Sequence, residues 1–201
     1  MKLPKLRELL EAVKALLVGP YTSRFPKQPH VPFRSFRGQP QFSEDYCVGC
    51  LACEEVCPAG AIGHKDAVSG GKAVRTIYHY TDTCIFCGEC EAACIADHKG
   101  IKLSNEWDLA FFDRSQAFEA IERDLVLCER CGAVVAARRH LLWIGERLGE
   151  LAFSSPTLYQ AKLKELGLVD DNLAAVHKEN ARSDRLKTLC AHCRRQTTAG
   201  V

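Results

Sequence analysis

Two stretches decide the fold: Cys47-Val48-Gly49-Cys50-Leu51-Ala52-Cys53-Glu54-Glu55-Val56-Cys57-Pro58 and Cys84-Ile85-Phe86-Cys87-Gly88-Glu89-Cys90-Glu91-Ala92-Ala93-Cys94. Each reads C-x2-C-x2-C-x3-C. A [4Fe–4S] cube needs four thiolates, and a tight loop wraps three of its corners while the fourth cysteine of each run ligates the other cube. The spacing therefore assigns one cube to Cys47, Cys50, Cys53 and Cys94, and a second to Cys84, Cys87, Cys90 and Cys57. The stretches repeat at an offset of 37 residues, with Asp45-Tyr46-Cys47 on Asp82-Thr83-Cys84 and Glu54 on Glu91. A duplicated unit of this kind shares its cysteines crosswise about a pseudo-two-fold. The competing chemistry is a pair of zinc knuckles, but zinc sites prefer separated C-x2-4-C pairs to one short run of four.

Around these loops the sequence supplies apolar residues able to exclude water: Val48, Leu51, Val56, Ile62, Ile85, Phe86, Ile101 and Leu103. Pro58 follows Cys57, as the bacterial two-cluster pattern expects, whereas Ile95 follows Cys94. The proline is not a ligand, so its loss alters packing beside the first cube and leaves the donor set intact. Alternation over Ala73–Tyr80 predicts a strand after a Gly70-Gly71 turn. Glu54, Glu55 and Glu91 fall on a short helix after each loop, where a solvated face is the default reading.

A second cysteine system follows. Cys128-Glu129-Arg130-Cys131 and Cys190-Ala191-His192-Cys193 are C-x2-C pairs that can present four thiolates tetrahedrally. Such a set suits zinc, or a single rubredoxin-type iron; a disulfide or no metal is the alternative. The separation of the pairs exceeds that of a compact zinc ribbon, so the site would staple the ends of an intervening segment. That segment reads as helical: Ala133–Leu151 places Val134, Ala137, Leu141, Ile144 and Leu148 at steps of three or four. Ser155-Pro156 then opens a helix over Thr157–Leu166, and Asp170 or Asp171 can cap another running towards Leu189. Of the seven histidines only His192 lies in a metal-type loop; His30, His64, His79, His98, His140 and His177 have surface or packing roles by default. No dinucleotide, phosphate-loop, nucleophile-elbow or zinc-protease motif is present.

The chain has 201 residues, 47% apolar and 26% charged, with twelve cysteines against one methionine. A secreted disulfide scaffold is disfavoured, because Met1–Val18 lacks the three regions of a leader peptide. No run of 18 uncharged apolar residues exists, which excludes a spanning helix. Charge is divided along the chain: residues 1–43 carry eight Lys/Arg against two acids, and residues 44–110 carry five against eleven. Lys2–Val18 predicts an amphipathic helix, with Pro4 in its first turn and Leu3, Leu6, Leu9, Leu10, Val13, Leu16 and Leu17 on one face. Gly19-Pro20 ends it, and Pro26, Pro29, Pro32 and Pro40 punctuate an extended stretch beyond. A basic helix of this type can lie on a membrane surface or a membrane-embedded partner; an ordinary core helix is the alternative. The basic tail around Arg194-Arg195 is short and has no interleaved aromatics, which argues against nucleic acid.

Tyr21-Thr22-x-x-Phe25-Pro26, Phe36-Arg37-Gly38, Cys47-Val48-Gly49-Cys50 and Cys84-Ile85-Phe86-Cys87-Gly88 resemble the two-cluster ferredoxin subunit shared by respiratory complex I and the membrane-bound group 4 [NiFe] hydrogenases. The resemblance covers roughly residues 1–110. It implies an α+β chain with a bacterial-type two-[4Fe–4S] ferredoxin fold over 44–110. An amphipathic helix and docking arm over 1–43 would precede it, and a mostly α-helical extension over 111–201, stapled by the four-cysteine metal site, would follow. It further implies an electron-relay subunit without a catalytic residue or small-molecule substrate of its own. Its partners would be subunits carrying neighbouring clusters and a membrane-arm subunit reached through residues 1–43, on the cytoplasmic side of the cell membrane. The paired knuckles and Ile101-Lys102-Leu103-Ser104 are similar to the extension of formate hydrogenlyase and hydrogenase-4 subunits, which favours that branch over a complex I subunit. A free-standing soluble ferredoxin is the remaining alternative.

Overall fold

The computed structural model describes residues 5–19, 22, 24–69, 72–169 and 187–199. Lys2, Leu3, Pro4, Pro20, Tyr21, the Gly70-Gly71 turn, Asp170, Asp171, His177 and most of the helix expected to run towards Leu189 lie outside them. The chain divides into two compact units, residues 1–36 and 37–201.

In the first unit, α1 spans Leu6–Val18. Glu8 Oε2 accepts the Lys5 backbone N–H at 2.9 Å, placing an acid in the first turn where the helix dipole favours it. Gly19 ends the helix at φ +89°, its N–H bonded to Ala15 O. No residue of α1 is buried, and the leucines of its apolar face are open, Leu16 to 85%.

The second unit opens on β1 (Pro40–Phe42), which pairs antiparallel with β4 (Ile101–Leu103). Residues 37–43, expected at the end of the arm, therefore belong with the cysteine loops. Between these strands run α2 (Ala52–Glu55), the hairpin β2 (Ile62–Ser69) and β3 (Lys72–Tyr80), and α3 (Glu89–Ala92). The internal repeat is visible in the backbone. Helices α2 and α3 stand at the same 37-residue offset, and left-handed residues recur in step, Gly49 with Phe86 and Leu51 with Gly88. Ile62, Ile77, Ile101 and Ile121 form a core with Cys47 and Cys90, so the cysteine loops are packed on strands.

Beyond residue 111 the structure departs from the helical expectation. Phe118–Leu127 is a strand, β5, and Val134–Ala137 is another, β6; the order β2-β3-β5-β6 makes one four-stranded antiparallel sheet. The predicted helix over Ala133–Leu151 is thus shortened to α4, Arg138–Leu148. Its first residues are taken by pairing, with Val134 opposite Leu127 and Ala137 opposite Leu125. Burial in β5 alternates through Ile121, Arg123 and Leu125. Two further α-helices among the described residues are α5 (Pro156–Glu165), with proline at its first position, and α6 (Ala191–Ala199).

Candidate functional site

Two cavities of ≈ 330 Å³ each, open solvent included, lie on the ferredoxin-like core. One is lined by Cys47, Cys50, Cys53 and Cys94 with Phe42, Leu51, Ile77 and Ile101. The other is lined by Cys57, Cys84, Cys87 and Cys90 with Pro40, Ile62, His79 and Leu103. Each cavity collects three cysteines of one run and the last of the other. The tight loops make this possible, because Gly49 and Gly88 adopt φ of +78° and +86°, which a side chain disfavours.

Burial shapes the chemistry of the loop thiols. Burial, reinforced by neighbouring thiols, pushes Cys53 up to about 12 and Cys90 up to about 11, and raises Cys50 and Cys84 as well. Thiols so raised give up their protons to bound metal, which is how thiolate sites couple metal binding to proton release. Backbone donors are already aimed at two sulfurs: Ala61 N–H at Cys57 Sγ and Phe86 N–H at Cys84 Sγ, both at 3.3 Å. The donor chemistry and the mostly apolar lining therefore fit a [4Fe–4S] cube in each cavity.

The surrounding scaffold holds the loops by their carbonyls. Arg123, buried on β5, donates to Cys47 O at 2.9 Å, Glu44 O at 2.8 Å, Ser43 O at 3.2 Å and the Glu44 carboxylate at 2.7 Å. Arg139 on α4 donates to Glu44 O and Asp45 O. Arg75 reaches Gly49 O at 3.3 Å, and Arg37 reaches Cys87 O at 2.7 Å. Sequence reasoning missed the contacts of all four arginines. Arg123 had a legible signal, its place between Ile121 and Leu125 in a period of two, but a charged residue at an inward position hides that pattern.

Glu54 and Glu91 have partners in place of a purely solvated face, while Glu55 is exposed. Glu54 Oε2 lies 2.6 Å from His64 Nδ1, and Glu91 Oε2 accepts the Leu103 N–H at 3.0 Å. Of the apolar residues expected to exclude water, Val48, Ile62 and Ile101 are buried, but Ile85 and Val56 are exposed. His79, expected to be an ordinary surface or packing residue, is fully buried beside the second set of cysteines, and burial lowers its pKa.

The second cysteine system also assembles. The sulfurs of Cys128, Cys131, Cys190 and Cys193 all lie within 4.8 Å of one another. Cys128 sits at the end of β5 and Cys193 on α6; both are buried with Leu189, while Cys131 is exposed. Cys193 N–H points at Cys190 Sγ at 3.4 Å, and Glu129 N–H bonds Thr188 O, tying the two knuckles by backbone. Burial, with hydrogen bonds that the Cys193 thiol donates to the neighbouring sulfurs, raises the Cys193 pKa. His192 is exposed and within 3.1 Å of the Gln196 side chain. Lys164 on α5 pairs with Glu129 at 2.7 Å, and Arg194 donates to Thr157, so α5 packs beside the four thiols.

Comparison with known proteins adds the family. Residues 46–98 match a 4Fe–4S dicluster domain. NADH-quinone oxidoreductase subunit I 2 of Geobacter metallireducens is 31% identical over 130 residues, which make up 61% of this chain and 97% of that protein. The chain belongs to this family of dicluster iron–sulfur subunits. Formate hydrogenlyase subunit 6 of Escherichia coli, another relative of the dicluster subunits, is 30% identical over 130 residues, 64% of this chain and 69% of its own length. Among solved structures, a chain of the membrane-bound sulfane sulfur reductase, an archaeal respiratory membrane complex, aligns at a TM-score of 0.40 and 22% identity, over 58% of this dicluster subunit and 61% of that chain. Among the described residues, no helix is long and apolar enough to cross a membrane.

Proposed function

We propose that the chain is an electron-relay subunit of a membrane-associated [NiFe] hydrogenase complex of the formate hydrogenlyase or hydrogenase-4 kind. Cys47, Cys50, Cys53 and Cys94 would hold one [4Fe–4S] cluster, and Cys84, Cys87, Cys90 and Cys57 the other. What supports this most directly is the sorting of eight cysteines into two separate cavities, three from one run and one from the other in each. When bound, such clusters take up and release one electron at a time, so the chemistry belongs to partner subunits and the chain's task is to fix distance, orientation and potential. The loop cysteines bind, the isoleucine core excludes water, and Arg123, Arg75 and Arg37 hold the loop carbonyls in place.

Cys128, Cys131, Cys190 and Cys193 would hold a zinc ion, with a single iron as the other candidate, stapling α6 to the end of β5. Four sulfurs within 4.8 Å support the staple, and its place in the extension supports the hydrogenase branch. The exposed apolar face of α1 supports docking of the N-terminal unit on a membrane-arm subunit, at the cytoplasmic face. A complex I subunit is the second reading, favoured by the 31% identity to NADH-quinone oxidoreductase subunit I 2.

Iron, sulfide and zinc analysis of protein purified without oxygen, with electron paramagnetic resonance after reduction, tests the relay. About eight iron, about eight sulfide and about one zinc per chain are expected. Iron near zero with several zincs would overturn it. Purification of the intact complex decides the branch: hydrogen evolution in the fraction supports the first reading, and NADH-dependent quinone reduction replaces it with the second.

A further inference from the structure

The 37-residue repeat makes the two cavities comparable position by position, and one position breaks the match. Phe42 and His79 each stand five residues before the first cysteine of their run, Phe42 at the end of β1 and His79 next to the end of β3. Each lines its own cavity: Phe42 that of Cys47, Cys50, Cys53 and Cys94, His79 that of Cys57, Cys84, Cys87 and Cys90. The apolar ring needs nothing from its surroundings. The imidazole does, yet His79 is 0% exposed and neither of its ring nitrogens has a hydrogen-bond partner among the described residues.

A buried polar group without a partner is costly, and native interiors leave few of them. A neutral imidazole carries one N–H donor in either tautomer. Every other side chain lining this cavity is apolar or a cysteine, so sulfur is the side-chain acceptor the cavity offers. We infer that His79 donates a hydrogen bond to the sulfur of the second iron–sulfur site and raises its reduction potential, an influence the first site lacks because Phe42 stands there. The N–H dipole presents its positive end to sulfur and so stabilises the negative charge that an added electron brings; hydrogen bonds to the sulfurs are among the determinants of such potentials. The inference rests on the two-cluster reading above.

The test is a potentiometric titration of the full-length, cluster-loaded protein without oxygen, followed by electron paramagnetic resonance, with iron and sulfide counted on each sample. In His79→Phe the reduction equilibrium of the second site should fall about tenfold, which is about 59 mV for one electron, while the first site keeps its potential. His79→Gln retains an N–H and should recover at least half of that shift. Wild-type protein labelled with nitrogen-15 histidine should show a histidine nitrogen coupled to the reduced second site, and His79→Gln should lack that coupling. Potentials unchanged in His79→Phe, or both lowered alike, would overturn the inference. Absence of the nitrogen coupling in the labelled wild-type protein would overturn it too, and that measurement stands even where His79→Phe does not load its second site. Wild-type iron and sulfide far below two cubes would bring down the two-cluster reading itself, a failure separate from unmoved potentials in a fully loaded protein.

Discussion

Arg123→Met removes a guanidinium while keeping an apolar stem, and the consequences for residues 43–47 can be followed acceptor by acceptor. Ser43 O still receives the Cys47 N–H at 3.0 Å, and Glu44 O still receives Arg139. The Glu44 carboxylate is 75% exposed and turns to water, so its ion pair contributes no more than about 1 kcal/mol. Cys47 O has no such substitute among the described hydrogen bonds, and its residue is buried. An orphaned buried carbonyl costs about 1–3 kcal/mol. The total is about 1–4 kcal/mol, or roughly 2–16 °C in Tm for a chain of this size. Urea unfolding of oxygen-free holoprotein, followed by circular dichroism and by iron release, measures it. Iron should be released at lower urea than in wild type, and Glu44→Gln should change stability by less than about 1 kcal/mol. A loss below about 0.5 kcal/mol in Arg123→Met, with unaltered iron release, would refute the role assigned to the Cys47 carbonyl contact.

Three other substitutions probe the same scaffold. A methyl group on Gly49 would lie 2.9 Å from Ala137 Cβ, whereas one on Gly60 meets nothing within 4 Å, and both residues have positive φ. Gly60→Ala should therefore cost about 1 kcal/mol and Gly49→Ala about 2–4 kcal/mol in the same unfolding assay; equal costs would mean that β6 does not press on the first loop. Asp66 and Arg75, opposite one another on β2 and β3, form a two-pronged pair at 2.8 Å, and the arginine hydrogen bond holds the carboxyl below its usual range. Such a group stabilises the fold fully above its unfolded pKa, about 3.9, and loses that contribution as pH falls through the lowered folded value. The difference between wild type and Asp66→Asn, about 1 kcal/mol, should accordingly stay flat from about pH 8 to about pH 5.5, and a difference that shrinks across that range would contradict the assignment. Cys193→Ser should abolish metal binding by Cys128, Cys131 and Cys190 and expose the α6 region to proteolysis while leaving iron and sulfide unchanged. Loss of iron in parallel would show that the staple and the cluster loops fold as one.

The loops are readable from the sequence because cluster chemistry leaves little freedom. Four thiolates per cube, three from one tight turn and one from its repeat, dictate both the spacing and the crossing of the runs, and the two cavities carry that pattern. The C-x2-C pairs likewise announce a common site, although 58 residues separate them in the chain. Strands β5 and β6 are not readable. In Phe118–Leu127 the inward positions are Ile121, Arg123 and Leu125, and an arginine in the middle destroys the alternation on which a strand is recognised. Val134 and Ala137 stand three residues apart, a step that suits a helix as well as it suits a short strand leading into α4.

That arginine explains how the extension serves the cysteine loops. The sheet grows by two strands past the β2–β3 hairpin, which brings β5 and β6 against the first loop: Arg123 and Ala137 are the side chains that a methyl group at Gly49 would strike. The second loop receives a carbonyl contact from Arg37, at the start of its unit, and an imidazole from β3. The duplicated halves thus hold near-identical thiol sets in unlike surroundings, three arginines on the carbonyls of the first loop and a buried histidine beside the second. Two sites made alike by repetition are made different by what packs on them, and hydrogen bonding and burial around the sulfurs are what set such potentials apart.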